Sequence, residues 1–155
     1  MLDQGDILSD VPLVKWKDGQ AAHGSPNRAI VTSHGCVCED YDRAVKDGKS
    51  SAADRVFIQV APLRPIKDFR DKIGLIQEGK LLDLFFIEGD GGKLAHQVAD
   101  LRREQPIPAR VLADCKKVAR IADWQWNALM VHMTVARFRS APADIFHPDL
   151  LKAET

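Results

Sequence analysis

The sequence has few cysteines, no long apolar run and no excess of either charge. It contains only three cysteines, Cys36, Cys38 and Cys115, an odd and sparse set that argues against a disulfide-rich secreted scaffold. No run approaches the roughly 18 apolar residues that span a bilayer. The opening residues, MLDQGDILSD, have neither the basic nor the apolar region of a secretory signal. We therefore expect a cytoplasmic protein with free thiols and no membrane partner.

Charge is balanced, because 22 Lys and Arg residues are matched by 22 Asp and Glu residues. This balance argues against a broad cationic surface for nucleic acid. A local basic groove remains open, since net charge does not describe how charge is distributed. The chain has 155 residues, 45% of them hydrophobic, which suits one globular domain. We expect residues 1–140 to form that domain and residues 141–155 to form a tail.

Short strand patterns separated by turns run along most of the chain. Runs rich in β-branched and aromatic residues lie at Arg28–Ser33, Arg55–Leu63 and Leu81–Glu88. Met1–Lys17 suits a bulged or edge strand, because Pro12 interrupts it. Further strands are predicted in LAHQVADLRR and ARVLADC, with EQPIP between them, and loops in KDGQAAHGSPN and DRAVKDGKSSAAD.

Two amphipathic helices complete the predicted elements. The first lies between Pro65 and Gly79, a candidate C-cap. The second begins near Asp123, a candidate N-cap, and ends at Phe138. Their apolar faces are formed by Ile66, Phe69, Ile73 and Ile76 in the first and by Trp126, Leu129, Met130 and Met133 in the second. Because the strands are too close together for helical crossovers, we expect a mainly β, α+β protein with an antiparallel barrel.

Four segments carry a resemblance to a known family. They are QGDILSDV, NRAIVTS at the end of a Gly/Ser-rich loop, VFIQVAPL and HQVADLRR, and the C-terminal helix follows them. In this order they resemble the MazF/PemK (Kid) family of toxin endoribonucleases. The resemblance implies an SH3-like antiparallel β-barrel with an inserted short helix and a C-terminal amphipathic helix. It also implies a homodimer that inhibits growth by cutting single-stranded RNA without a metal or other cofactor, and a protein antitoxin as partner.

The same resemblance implies a site made of Arg28, Ser33, His34 and Arg64. Arg28 matches the family's arginine and would hold the scissile phosphate through paired N–H groups, although a solvated strand-end arginine is the equal alternative. Ser33 matches the serine that ends the family's strand, and His34 would assist as an acid or base. Arg64 stands where the family has Thr or Ser. A guanidinium is a poor general base, so a degenerate, non-cleaving relative is the other interpretation.

Other interpretations of the sequence stay open. The stretch Ser33–Asp40 also suggests a thiol site at Cys36, although a packed turn fits as well. A zinc site is a further alternative, with His34, Cys36 and Cys38 as ligands and a fourth from Cys115, His96 or Asp40. GDGG, from Gly89, is typical of a hairpin turn. Arg102 and Arg103 would extend an RNA groove, His132 would be packed or interfacial, and Trp124 and Trp126 would lie in a dimer interface or the core. A protein-interaction module without catalytic activity is the alternative function.

Overall fold

A computed structural model of the chain describes residues 1–23, 27–92 and 94–140; the predicted tail lies outside these residues. The nine strands are β1 (Asp6–Val11), β2 (Val14–Lys17), β3 (Gln20–His23), β4 (Asn27–Val31), β5 (Phe57–Pro65), β6 (Leu84–Ile87), β7 (Gln97–Asp100), β8 (Gln105–Pro108) and β9 (Lys116–Arg120). The five α-helices are α1 (Gly35–Lys46), α2 (Ser50–Ala53), α3 (Ile73–Gln77), α4 (Ala109–Ala113) and α5 (Asp123–Ser140). Two 3₁₀ turns lie at Ile66–Phe69 and Leu101–Arg103. None of the helices in the described ranges is both long and apolar enough to cross a bilayer.

Seven strands form one antiparallel sheet, which confirms the predicted α+β class. The order is β6-β7-β5-β4-β1-β9, and β8 also pairs with β5. The long strand β5 organises the sheet, because it pairs with β4, β7 and β8 along different parts of its length. Among the described strands the sheet is open, with β6 and β9 at its ends. Strand β1 is paired on both sides and carries register shifts, so it is bulged but not an edge.

Alternating residues of the central strands supply two apolar cores, one on each face of the sheet. Ile7 and Ile30 face α5, which contributes the fully buried Leu129. Leu8 and Val31 face the opposite side, where α1, α2 and α4 pack. The alternation follows from the period of two in a strand. A single sheet therefore connects both cores.

A hairpin replaces the loop predicted at KDGQAAH. Strands β2 and β3 pair with Lys17 opposite Gln20, which leaves a two-residue turn at Asp18 and Gly19. Their φ angles are 51° and 76°, the positive values that a type I′ turn requires. The sequence analysis overlooked the Asp18-Gly19 pair, although Asp-Gly is a strong hairpin signal. The remaining loop residues, 24–26, lie outside the described part of the chain.

A helix also replaces the turn predicted around Cys36 and Cys38. Helix α1 buries Cys38, Tyr41 and Ala44, three positions at steps of three residues, so they form one face. It ends in a Schellman motif at Gly48, whose φ is +68°. There the Gly48 N–H donates to the Val45 carbonyl and the Lys49 N–H to the Ala44 carbonyl.

Two further predictions were wrong in element type. ARVLA is helix α4, and the segment expected to connect two strands, QPIP, is strand β8. The predicted helix between Pro65 and Gly79 is divided into a 3₁₀ turn and the short helix α3. Gly79 does end α3 as predicted, with φ +68°. The C-terminal helix is confirmed; Asp123 is its first residue and Trp126 lies in the core.

Candidate anion-binding groove

Three arginines converge on one buried carboxylate, that of Asp100 at the end of β7. Asp100 is 0% exposed. Arg102 binds it through two parallel bonds, Nε to Oδ1 at 2.9 Å and Nη2 to Oδ2 at 3.0 Å. Arg64 Nη1 lies 3.6 Å and Arg103 Nε 3.8 Å from Oδ2. One negative charge thus orients three positive ones.

Strand geometry explains how this cluster forms. Arg64 on β5 pairs with Val98 on β7, so Asp100, two residues further along, lies on the same face as Arg64. Asp100 then caps the following 3₁₀ turn by accepting a bond from the Arg102 backbone N–H. That turn brings Arg102 and Arg103 back towards the same carboxylate. The pKa of Arg102 is raised, mainly by its side-chain hydrogen bond to Asp100. This guanidinium therefore stays charged.

Arg64 is held by two further contacts. Its guanidinium lies 4.7 Å from the centre of the Phe69 ring, a cation–π distance. Its Nη2 lies 3.4 Å from a carboxylate oxygen of Asp68. About a third of the Arg64 side chain remains exposed, at 32%. The group is therefore fixed in position but still accessible to a ligand.

These arginines line a groove of about 840 Å³ between β5, the Leu101–Arg103 turn and the start of the β2–β3 hairpin. Its cationic side chains are those of Lys15, Arg64, Arg102 and Arg103. Its acidic ones are Asp68 and Glu104. Apolar walls are formed by Leu13, Val14, Pro62, Leu63, Pro65 and Pro106. The combination of guanidinium groups and apolar walls suits a ligand with both anionic and planar apolar parts.

Glu104 connects the groove to the end of β4 and to helix α5. Its carboxylate accepts a short hydrogen bond from the hydroxyl of Thr32, which is 3% exposed at the end of β4. It also accepts from Arg137 Nη2 of α5, at 3.2 Å for Oε2 and 3.4 Å for Oε1. The Glu104 side chain is 18% exposed, and Glu104 is among the residues that line the groove.

The structure does not bring the four predicted site residues together. Arg64 lines the groove, as does Asn27, but Arg28 does not. Alternation along β4 explains this, because Arg28 shares the face of Ile30 while Asn27 shares the face of Val31. Arg28 and Arg64 therefore lie on opposite faces of the sheet.

Ser33 and His34 lie at the far end of the β4–β5 ladder. The Ser33 hydroxyl accepts a 2.7 Å bond from the Gln59 backbone N–H, which extends the ladder by one pairing. Gln59 precedes Arg64 by five residues on β5, a separation of about 16 Å along a strand. His34 is exposed at the start of α1 and makes no side-chain capping bond.

Helix α1, which the sequence analysis did not predict, gives Cys36 and Cys38 different surroundings. Cys36 is exposed, whereas Cys38 is buried, and burial is the main cause that raises the pKa of Cys38 to about 11. Burial likewise raises the pKa of Cys115. No group of three metal-binding side chains occurs within the described ranges. His96, a candidate ligand by sequence, uses Nδ1 to accept from the Gly89 N–H.

Comparison with protein-family models and with curated proteins gives no match. The likeness to MazF/PemK therefore depends on the order of segments in the sequence. The sequence analysis named Arg64, Arg102 and Arg103, which the structure brings together at Asp100, but it missed Asp100 and Glu104. A pattern of acidic residues flanking two arginines, DLRRE, was the available signal.

Proposed function

We propose that this protein is a MazF/PemK-like domain that binds single-stranded RNA in the arginine groove. The observation that supports the proposal is the convergence of Arg64, Arg102 and Arg103 on the buried Asp100 carboxylate. Guanidinium groups held this way are oriented before the ligand arrives, which lowers the entropy lost on binding. Their remaining N–H groups suit phosphate oxygens.

The groove favours a single strand over a duplex. Bases of a single strand are free to stack on guanidinium planes and apolar surfaces, while the backbone follows the positive charges. The prolines and leucines of the groove wall supply apolar surface beside the arginines. A duplex would hide its bases and require a broader basic face, and the balanced charge of the chain does not favour one.

We also propose that the sheet is an open form of the SH3-like barrel. The strands β1, β4 and β5 form a meander, β8 follows on β5, and the last strand, β9, returns to pair with the first. Helix α4 lies between β8 and β9 in the chain, and these two strands do not pair with each other. A barrel of this kind would be interrupted between these strands.

The binding proposal is tested by fluorescence anisotropy with a labelled single-stranded RNA of mixed sequence. For a single strand, the slope of log K against log salt becomes more negative by about 0.7 for each phosphate that the protein neutralises. Three guanidiniums therefore predict a slope of about −2, and Arg102→Ala should reduce its magnitude by about 0.7.

Arg110→Ala is the matched control, because Arg110 pairs with Asp54 on the surface at 3.0 Å and does not line the groove. We expect this control to bind RNA as the wild type does. Absence of RNA binding by the wild type at low salt would reject the proposal, as would equal losses in the two variants.

A toxin role in the cytoplasm would follow from RNA cleavage. We expect expression of the wild type to inhibit bacterial growth and Arg102→Ala to relieve that inhibition at an equal protein level. Arg28→Ala tests the phosphate contact that the resemblance implies for Arg28, a residue that lies on the other face of the sheet. Equal growth with wild type and empty vector would contradict the toxin role but not RNA binding.

The second candidate function is a protein-interaction module. It is favoured by the outer face of α5, where Trp124, Val131 and Val135 are exposed at 61%, 66% and 40%. These positions follow one another at seven and four residues, so they form one apolar stripe. A second copy in a homodimer or an antitoxin would bury it. Val131→Glu should then disrupt the complex in sedimentation analysis while leaving RNA binding intact.

A further inference from the structure

We infer that a second cavity, beside the arginine groove, holds one nucleobase of the bound single strand and that His96 contacts this base; the inference rests on the proposed RNA binding. The second cavity measures about 530 Å³ and lies between the end of β5 and the segment that joins β6 to β7. Pro65, the last residue of β5, lines both this cavity and the groove. A strand bound in the groove can therefore continue into the second cavity.

Strand register places His96 close to Arg64. Arg64 pairs with Val98 on β7, and His96 precedes Val98 by two residues, which is about 7 Å along a strand. The ring centres of His96 and Phe86 are 5.5 Å apart, and Phe86 also pairs with Val98. His96 therefore shares the face of Val98 and Arg64. This separation suits a phosphate at Arg64 and the base of a neighbouring nucleotide at His96.

The hydrogen bond of His96 determines which ring nitrogen is left to donate. Nδ1 accepts from the Gly89 N–H at 2.9 Å, so the proton of the neutral ring lies on Nε2. His96 is exposed and lines the second cavity. Its Nε2–H group suits the carbonyl oxygens and ring nitrogens on the edge of a base, and its ring offers a surface for stacking.

The glycine-rich turn beside His96 is held by its own hydrogen bonds. Asp90 Oδ1 accepts from the backbone N–H groups of Gly92 and Leu94, both at 2.9 Å. Gly89 lies so close to the returning chain that a Cβ there would be 2.9 Å from the backbone nitrogen of His96. This close approach brings the Gly89 N–H onto the imidazole. The cavity is therefore formed before a ligand arrives, which limits the entropy lost on binding.

The walls of the second cavity favour a base over a second phosphate. Its apolar side chains are those of Pro65, Ile66, Leu94 and Ala95. A phosphate enclosed by these side chains would lose hydration that they cannot replace. A base has apolar faces and polar edges, so its faces fit the walls while His96 meets an edge. Lys67, which also lines the cavity, adds a positive charge for the phosphate of the same strand.

The experiment measures the binding of two ligands of equal length by fluorescence anisotropy: a single-stranded RNA of mixed sequence and an abasic ribose-phosphate chain. The variant is His96→Asn, because the asparagine amide can still accept from the Gly89 N–H but lacks the ring and its Nε2–H. Stacking of one base contributes about 5- to 150-fold to affinity. We expect His96→Asn to weaken RNA binding by that factor and to bind the abasic chain as the wild type does. Arg102→Ala should weaken the binding of both ligands, because it removes a phosphate contact.

Phe57→Ala is the matched control, since the Phe57 ring is 52% exposed and lines neither cavity; it should bind both ligands as the wild type does. Equal weakening of both ligands by His96→Asn would mean that His96 only supports the turn and would overturn the inference. So would unchanged RNA binding by this variant, or a wild type that binds both ligands equally well, results that leave phosphate binding in the groove intact. A wild type that binds neither ligand would instead reject the proposed function itself.

Discussion

At the scale of single residues, Asp100 brings a negative charge into the interior of the protein. It is fully buried, and its charge is compensated by Arg64, Arg102 and Arg103. We expect Asp100→Ala to lower the free energy of unfolding by about 2 kcal/mol, the size of a lost charge-assisted hydrogen bond. The half-exposed arginines can recover some hydration, which keeps the loss moderate. Urea denaturation followed by circular dichroism measures it.

Asp54→Ala provides the comparison for that experiment. Asp54 forms an ion pair with Arg110 at 3.0 Å, but both side chains are at least half exposed. Exposed pairs contribute little, typically under about 1 kcal/mol. We expect the urea midpoint of Asp54→Ala to stay near that of the wild type. A loss as large as that of Asp100→Ala would show that burial does not distinguish the two carboxylates.

Cys38 should make stability depend on alkaline pH. Cys38 is 2% exposed, and burial, assisted by Asp3, raises the pKa of its thiol from 9.0 to about 11. Above pH 9 the unfolded chain ionises this thiol while the folded chain keeps it protonated. The stability that the neutral thiol provides is therefore complete below pH 9 and is lost as pH rises towards 11.

Cys38→Ala tests this dependence, because it removes the ionisable group. The urea midpoint of the wild type should fall more steeply than that of the variant between pH 9 and 11. Cys36→Ala is the control, since Cys36 is exposed. Parallel curves for the wild type and Cys38→Ala would contradict the predicted thiol contribution.

At the scale of elements, the sequence predicts those with strong periodicity and misses those that depend on tertiary contacts. Helix α5 and strand β5 were correctly predicted because long apolar patterns define them. Helix α4, ARVLA, was mistaken for a strand, because five residues are too few to distinguish a period of 3.6 from one of two. Strand β8 carries two prolines, which local patterns disfavour; pairing with β5 overrides that preference.

Two glycines of one helix allow a test with opposite signs. Gly79 follows α3 with φ +68°, whereas Gly74 lies inside the helix; a Cβ at either position would meet nothing within 4 Å. Gly79→Ala should lower the free energy of unfolding by about 1 kcal/mol, because only backbone strain opposes the substitution. Gly74→Ala should stabilise the protein by about 0.5–1 kcal/mol through helix propensity. Thermal denaturation of both variants measures the difference, and shifts in the same direction would contradict it.

At the scale of the whole molecule, the candidate site could be predicted only in part. Arg102 and Arg103 are visible in the sequence as a basic pair after a strand. Their convergence with Arg64 depends on the register between β5 and β7, which no local pattern reveals. The separation of Arg28 from Arg64 has the same origin, since a shift of one residue along a strand changes the face.

The sheet connects the two cores, and this predicts one cooperative unfolding transition. Leu112 belongs to the core beneath α4 and Leu129 to the core beneath α5, and both are 0% exposed. Each Leu→Ala substitution should cost about 2–5 kcal/mol. Because neighbouring residues of β1 and β4 face opposite cores, separation of these shared strands would disrupt both cores at once. Far-ultraviolet circular dichroism and tryptophan fluorescence should therefore give coincident midpoints in both variants. A fluorescence transition of Leu129→Ala that precedes the dichroism transition would show instead that α5, with Trp126, detaches first.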